Sequence, residues 1–178
     1  KKYFSRMISN NAFALKEHLR EGVNVEELDL TGDEIKEIET YEHKTSYLSM
    51  CMYKKLDQMK REGLLSEETY ITIDVNLKSF SDITGSCERI KNTPIPYSYS
   101  MFFKKFIFIY VTTLPLAFVY SFGYYSSLVS IFVFYVLVSM EILAEEIEDP
   151  FGTDDNDLPT DGLSEKIKSN IHEILADD

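Results

Sequence analysis

Tryptophan is missing from this 178-residue chain, cysteine occurs only twice, and glycine and proline are scarce at 7 and 5. Cys51 and Cys87 are too few for a disulfide framework, and no secretory segment is read ahead of them, so reduced thiols on the cytosolic side are expected. Basic residues are also in short supply: 18 Lys and Arg stand against 30 Asp and Glu, and no basic run exceeds a pair. That balance argues against a nucleic-acid partner, because phosphate binding draws on clustered cations to release counterions. Glycine-rich phosphate loops, paired-cysteine metal patterns and nucleophile elbows are absent too. With no set of acid, base and nucleophile, the chain is not expected to be an enzyme. His18, His43 and His172 are dispersed and fit no ligand spacing, which points to core or surface roles rather than to a metal.

Charge of either sign is absent from one long stretch. Residues 106–140 contain no Asp, Glu, Lys or Arg, so the remaining chain is about one-third charged. One straight helix over those 35 residues would measure about 52 Å against a hydrocarbon layer about 30 Å thick, too long for a single span. Gly123 sits at the midpoint with 17 residues on either side, among Ser121, Tyr124, Tyr125, Ser126 and Ser127, which combine turn formers with interfacial aromatics. Two helices joined by a tight turn are therefore expected, the first drawing on Met101–Phe103 and the second on Ile142–Ala144. Each then satisfies its own backbone hydrogen bonds, as lipid requires. Arg89, Lys91, Lys104 and Lys105 precede the first helix, the turn is uncharged, and the next base is Lys166. By the positive-inside rule both polar regions share the cytosolic side of the inner membrane. Pro115 removes one backbone bond inside the first span, and Thr112 and Thr113 are placed to satisfy freed carbonyls. The competing reading is an apolar hairpin buried in a soluble protein.

The polar regions read as amphipathic helices. Asn10 and Asn11 are expected to cap a helix ending near Glu21, a short helix follows over Asp33–Tyr41, and another over Ser46–Arg61 carries Leu48, Cys51 or Met52, Leu56 and Met59 on one stripe. Ser66 is expected to cap a helix whose apolar face is Tyr70, Ile73, Leu77, Phe80 and Thr84. A last helix presents Leu163, Ile167, Ile171 and Ile174. The expected fold class is all-α: a membrane protein with a transmembrane helical hairpin and a cytosolic helical bundle. It divides into cytosolic helices over 1–100, the hairpin over 101–147, and an acidic loop with a C-terminal helix over 148–178.

Two segments carry a resemblance. Gly85-Ser86-Cys87-Glu88-Arg89-Ile90-Lys91-Asn92-Thr93-Pro94-Ile95-Pro96-Tyr97 leads into the hairpin, and the acidic run Glu145–Asp157, with Asp149-Pro150-Phe151-Gly152 at its centre, follows it. In this spacing they resemble the bestrophin family, its bacterial branch above all, over nearly the whole chain. The sequence opens on Lys1 rather than Met and is expected to be part of a longer protein. The resemblance implies a homopentameric ion channel with four membrane helices per subunit, of which this chain holds the last two. It also implies an apolar constriction at the cytosolic exit, for which Leu48 is the best match and Tyr47 the next. The motif residues Glu88, Arg89, Asn92, Thr93, Pro94 and Pro96 precede the third membrane helix. There Asn92 or Thr93 would cap a helix start whose dipole attracts anions, or Arg89 and Lys91 would simply face lipid phosphates and Glu88 pair with Arg89.

In eukaryotic relatives the acidic segment holds calcium. The matching positions here are Asp154 and Asp157, with carbonyls near Glu146 and Asp149; Thr153 and Asn156 stand where acids would be. A solvated loop that shapes the fold is the favoured reading, and a calcium site is the other. The expected function is a bestrophin-like channel for chloride or for monovalent cations, with lipid and further copies of itself as partners. The alternative is a non-conducting, membrane-anchored scaffold.

Overall fold

The computed structural model describes residues 1–20 and 22–176, and among these it contains seven α-helices and no strand. The helices are α1 (Lys2–His18), α2 (Gly32–Ile38), α3 (Lys44–Arg61), α4 (Glu67–Lys91), α5 (Tyr97–Phe122), α6 (Tyr125–Glu148) and α7 (Thr160–Ala176), with a single 3-10 turn at Val25–Glu27. They sort into two compact units, one made of Lys1–Asn92 with Leu158–Asp178 and the other of Thr93–Asp157. The boundaries expected at residues 100 and 147 thus move to either side of the hairpin, and the last helix joins the first unit instead of standing with the acidic loop.

In the first unit α1 packs on both α3 and α7, and α3 packs in turn on α4. Met7, Asn11 and Ala14 recur at helical spacing along α1, and Thr45, Leu48, Met52 and Leu56 do so along α3; all are buried. Leu28, Ile38, Tyr47 and Leu77 complete the core. The helix start expected at Asn10 and Asn11 lies instead at Lys2, and both asparagines are interior and buried. Asn10 is there to hold a loop. The Asp29 N–H donates to Asn10 Oδ1 at 2.9 Å, and Asn10 Nδ2 donates to the Asp29 carbonyl at 2.8 Å, which satisfies both backbone groups of a residue that has no helix of its own. Glu21, the expected end of this helix, lies outside the described residues.

The loop leads into α2, where the Thr31 N–H donates to Glu34 Oε2 at 2.8 Å. The same carboxylate takes Arg6 in a two-pronged pair at 2.7 and 2.8 Å. Burial works against the Glu34 carboxylate, but Arg6 and the Thr31 groups outweigh it and lower its pKa.

Leu48 is fully buried at 0 % exposure and Tyr47 nearly so at 2 %, its hydroxyl donating to Glu37 Oε2 at 3.1 Å. A side chain that constricts a pore must face the lumen, whereas these two face the helical core. The stripe that suggested Leu48 reports packing, and the assignment of Leu48 and Tyr47 to the exit constriction is corrected accordingly.

Helix α7 is fastened to α1 by charge. Lys16, only 6 % exposed, places Nζ at 2.9 Å from Glu17, 3.0 Å from Glu27 and 2.9 Å from Asp161. Arg20 reaches the other oxygen of Asp161 at 2.7 Å. Burial disfavours the Lys16 ammonium, yet bonds to Asp161, Glu17 and Glu27 overcome it and raise its pKa. Hydrogen bonds from Arg20 and then Lys16 hold the Asp161 carboxyl down to about 2. The face of α7 turned to α1 is polar, with Thr160 and Ser164 buried and Ser164 Oγ donating to the Ala12 carbonyl at 3.3 Å. Of the expected stripe, Leu163, Ile167 and Ile174 are exposed in the single chain and Ile171 is half-buried.

In the second unit α5 and α6 pack antiparallel through a narrow seam containing Ile107, Leu114, Ser126 and Ser130. Gly123 turns the chain at φ +54°, a conformation that a side chain would strain. Ser126 Oγ donates back to the Gly123 carbonyl at 2.7 Å. At 26 and 24 residues the helices are about 39 and 36 Å long, enough to cross a bilayer. Their outward surface is apolar and uncovered: Tyr120 is 98 % exposed, Tyr124 99 % and Phe132 67 %. The core of a soluble protein would be covered, so the buried-hairpin reading falls. Thr112 and Thr113 bond the carbonyls of Phe108, Ile109 and Tyr110, not that of Val111, the carbonyl one turn before Pro115.

Replacing Leu48 with Ala should lower unfolding stability in detergent by about 2–5 kcal/mol through lost burial and the cavity left behind. A chemical-denaturation midpoint unchanged from wild type would contradict this placement. The Asp161 clamp gives a pH signature. A carboxyl held at about 2, against its ordinary 3.8, adds stability above that ordinary value and loses it as pH falls from about 4 toward 2. Melting curves of the wild type should therefore decline more steeply over that window than those of Asp161→Asn.

Candidate functional site

The base of the hairpin is organised by acids on α6. Glu141, Glu145 and Glu148 follow one another at helical spacings of four and three, so they share one face. Lys104 of α5 places Nζ at 3.3 Å from Glu141 and 2.6 Å from Glu145. The N–H of Ile95, in the segment before α5, donates to Glu148 Oε1 at 2.8 Å. Where the chain enters the hairpin it is thus tied to where it leaves, and both open ends lie at the same end of the helix pair. An open cleft of about 330 Å³ lies beside these acids, walled by Tyr99, Phe103, Phe106 and Leu137.

The motif residues before α5 divide between the two units. Glu88 lies in the last turns of α4 and pairs with His18, Nε2 to Oε1 at 2.7 Å. Arg89 is exposed on the same helix. Asn92 closes α4: its backbone N–H donates to the carbonyls of Glu88 and Ile90. It does not start α5, as the sequence suggested, and neither does Thr93. Pro96 occupies the position before α5, without a side-chain cap, and its carbonyl accepts from the Tyr99 N–H at 2.7 Å. Pro94 and Pro96 fix an extended entry, so the first turn of α5 begins abruptly.

The acidic segment folds back on itself. The Asp154 N–H donates to Asp157 Oδ2 at 2.7 Å, and the Asp157 N–H to the Asp154 carbonyl at 3.0 Å. Asp157 lies so close over Gly152 that a Cβ there would fall 2.5 Å from its Oδ2. Asn156 Nδ2 donates to Glu146 Oε2 at 2.7 Å, pinning the loop to α6, and Asp149 is the residue that ends that helix. Here Asp157 and Glu146 are spent on shaping the loop.

A different set of ligand-type side chains does converge. His18, His43 and Glu88 bring their ligand atoms within 4.8 Å of one another, the one such group among the described residues. The sequence reading set the histidines aside because they are far apart along the chain; only the packing of α1 on α3 and of α3 on α4 draws them together.

Comparison with known proteins bears on the whole of this architecture. The profile of the bacterial and fungal bestrophin proteins matches residues 1–173. The chain belongs to that bestrophin family. The voltage-dependent anion channel-forming protein YneE of Escherichia coli O157:H7 is 31 % identical over 170 residues, which is 94 % of this chain and 56 % of that protein. A protein of the same description from Ralstonia nicotianae is 33 % identical over 76 % of this chain and 44 % of its own length. The bestrophin homologue of Klebsiella pneumoniae, solved by zinc anomalous phasing, superposes with a TM-score of 0.93 at 29 % identity, covering 99 % of this chain and 66 % of that one. A single-substitution variant of the Klebsiella homologue gives 0.91 at 30 % identity over 97 % and 65 %. This bestrophin chain therefore spans about half the length of the anion channel-forming relatives. It is an all-α membrane protein, and its kinship is with channels rather than enzymes.

Glu148→Ala should release the amide of Ile95. A hydrogen bond of this kind is worth about 1 kcal/mol, so hydrogen–deuterium exchange at Ile95 should quicken roughly fivefold while amides around Ile107 keep their protection. Unaltered exchange at Ile95 would show that the tie is not formed.

Proposed function

We propose that the complete protein is an ion channel subunit in which this bestrophin segment supplies a membrane hairpin and a helical body, and that copies assemble into a ring, a pentamer. The observation that carries the reading is the hairpin's uncovered apolar surface, in a chain whose relatives are named for anion channels. A monomer leaves Ile71, Val75, Ile83 and Ile90 exposed along α4, and Leu163 and Ile167 along α7, and neighbouring subunits are the natural cover for these rows. The body lies on the cytosolic side of the inner membrane, and Lys104 and Lys105 sit at the same interface.

Monovalent ions pass along the ring axis through an apolar narrowing that opens by wetting and closes by dewetting. The narrowing is built by residues other than Leu48 and Tyr47. The relatives' names favour anions. The net charge of −12 per chain favours cations instead, since a cavity bounded by several such chains holds a negative potential. The acidic loop does not depend on calcium for its shape in this reading, since Asp157 and Asn156 already close it.

Full-length protein reconstituted in planar bilayers under asymmetric NaCl should give single-channel currents, and the sign of the reversal potential assigns the carried ion. Native mass spectrometry should give a mass five times that of the subunit. A stable ring without current would identify a membrane-anchored scaffold, and a monomer complete without further spans would overturn the channel reading.

A further inference from the structure

We propose that His18, His43 and Glu88 form a binding site for a divalent transition-metal ion of the zinc class, stapling α1, the start of α3 and the end of α4 within the helical body. Three independent chain segments deliver one ligand each: His18 closes α1, His43 precedes the first residue of α3, and Glu88 lies in the last turns of α4. Their ligand atoms lie within 4.8 Å of one another, and the imidazole rings of His18 and His43 have centroids 6.0 Å apart. Tetrahedral zinc, with bonds to nitrogen and oxygen near 2.1 Å, sets its ligands about 3.4 Å apart. Reaching that spacing means loosening the 2.7 Å contact between His18 and Glu88 and swinging in His43, which is exposed.

A simple ion pair between His18 and Glu88 accounts for two of the three groups. It does not account for His43. That side chain packs no core and caps no backbone N–H at the start of α3, yet it converges on the same carboxylate. Next to the cluster is a polar cleft of about 210 Å³ lined by His43, Glu88, Thr45, Ser46, Ser49 and Ser81. Its hydroxyls can hold a water on the fourth position of the ion. Two imidazoles and one carboxylate match zinc, with nickel and copper as chemical competitors, whereas calcium seeks six to eight oxygens and finds one carboxylate here. Because all three ligands belong to the helical body, the ion acts on that body's rigidity and not through the pore. The site stands or falls independently of conduction.

Full-length protein, stripped of metal with chelator and held in detergent, is titrated with zinc sulfate by calorimetry, alongside magnesium and calcium chloride. The expected result is a zinc site of micromolar or better affinity that magnesium and calcium do not fill, and visible d–d bands of tetrahedral cobalt(II) when cobalt is used instead. His43→Gln should weaken that binding at least tenfold while leaving the metal-free melting temperature unchanged, because His43 is exposed. His43→Cys, a thiolate ligand at the same place, should restore it. His18→Gln and Glu88→Gln should lose the cobalt bands as well, and His43→Gln keeps the test decisive if either misfolds. Absence of zinc binding in the wild type, or affinity within twofold of wild type in His43→Gln, would overturn the site.

Discussion

Everything in this molecule is arranged around a backbone that has to leave water. In hydrocarbon each N–H and C=O must find a partner inside the protein, and a helix is the open-ended structure that provides one for all but its terminal groups and those freed by a proline. The uncharged run meets that demand twice, in α5 and α6, with one reversal at Gly123 where a positive φ is needed. The exposed aromatic surface of the pair follows from the same constraint, because side chains facing lipid have no reason to hide. So does the location of charge: the acids of α6 and the base Lys104 gather at the open end, where water returns.

The rest of the chain obeys the opposite rule. In the helical body several buried or half-buried polar groups are matched to definite partners, although Arg20 Nε and Thr45 Oγ1 are buried without one. Asn10 takes both backbone groups of Asp29, Glu34 takes Arg6 and the start of α2, and Lys16 takes three carboxylates. These contacts set which helix lies on which, while the aliphatic stripe of α3 supplies the burial. Apolar positions left over on α4 and α7, Ile71, Val75 and Leu163 among them, stay exposed in the single chain.

What could be read from the sequence was whatever depends on neighbours along the chain. The hairpin and its turn are visible because absence of charge over residues 106–140 is a local fact, and the cap at Ser66 is visible because capping acts within one turn: Ser66 Oγ accepts from the Thr69 N–H at 3.2 Å. Asn10 and Asn11 looked like caps by the same local logic, and a contact nineteen residues away overrode it. Periodicity placed Leu48 on a stripe correctly but does not say whether a stripe faces a core or a lumen. Of the apolar stripe read on α7 only Ile171 is partly buried, and the residues of that helix that bury most are Thr160 and Ser164. The meeting of His18 with Glu88 spans 70 residues, a separation that no motif spacing reveals.

The clamp between Lys16 and Asp161 links positions 145 residues apart, with the whole hairpin between them. A nascent chain therefore finishes its first helix long before the strut that completes it exists. Until α5 and α6 have been handed to the bilayer and α7 has emerged, Lys16 lacks one of its three counterions and α1 lacks a flank. Completion of the water-facing half is thereby made to wait for synthesis of the greasy half, so a ribosome that stalls within the hairpin leaves behind a body without its last strut.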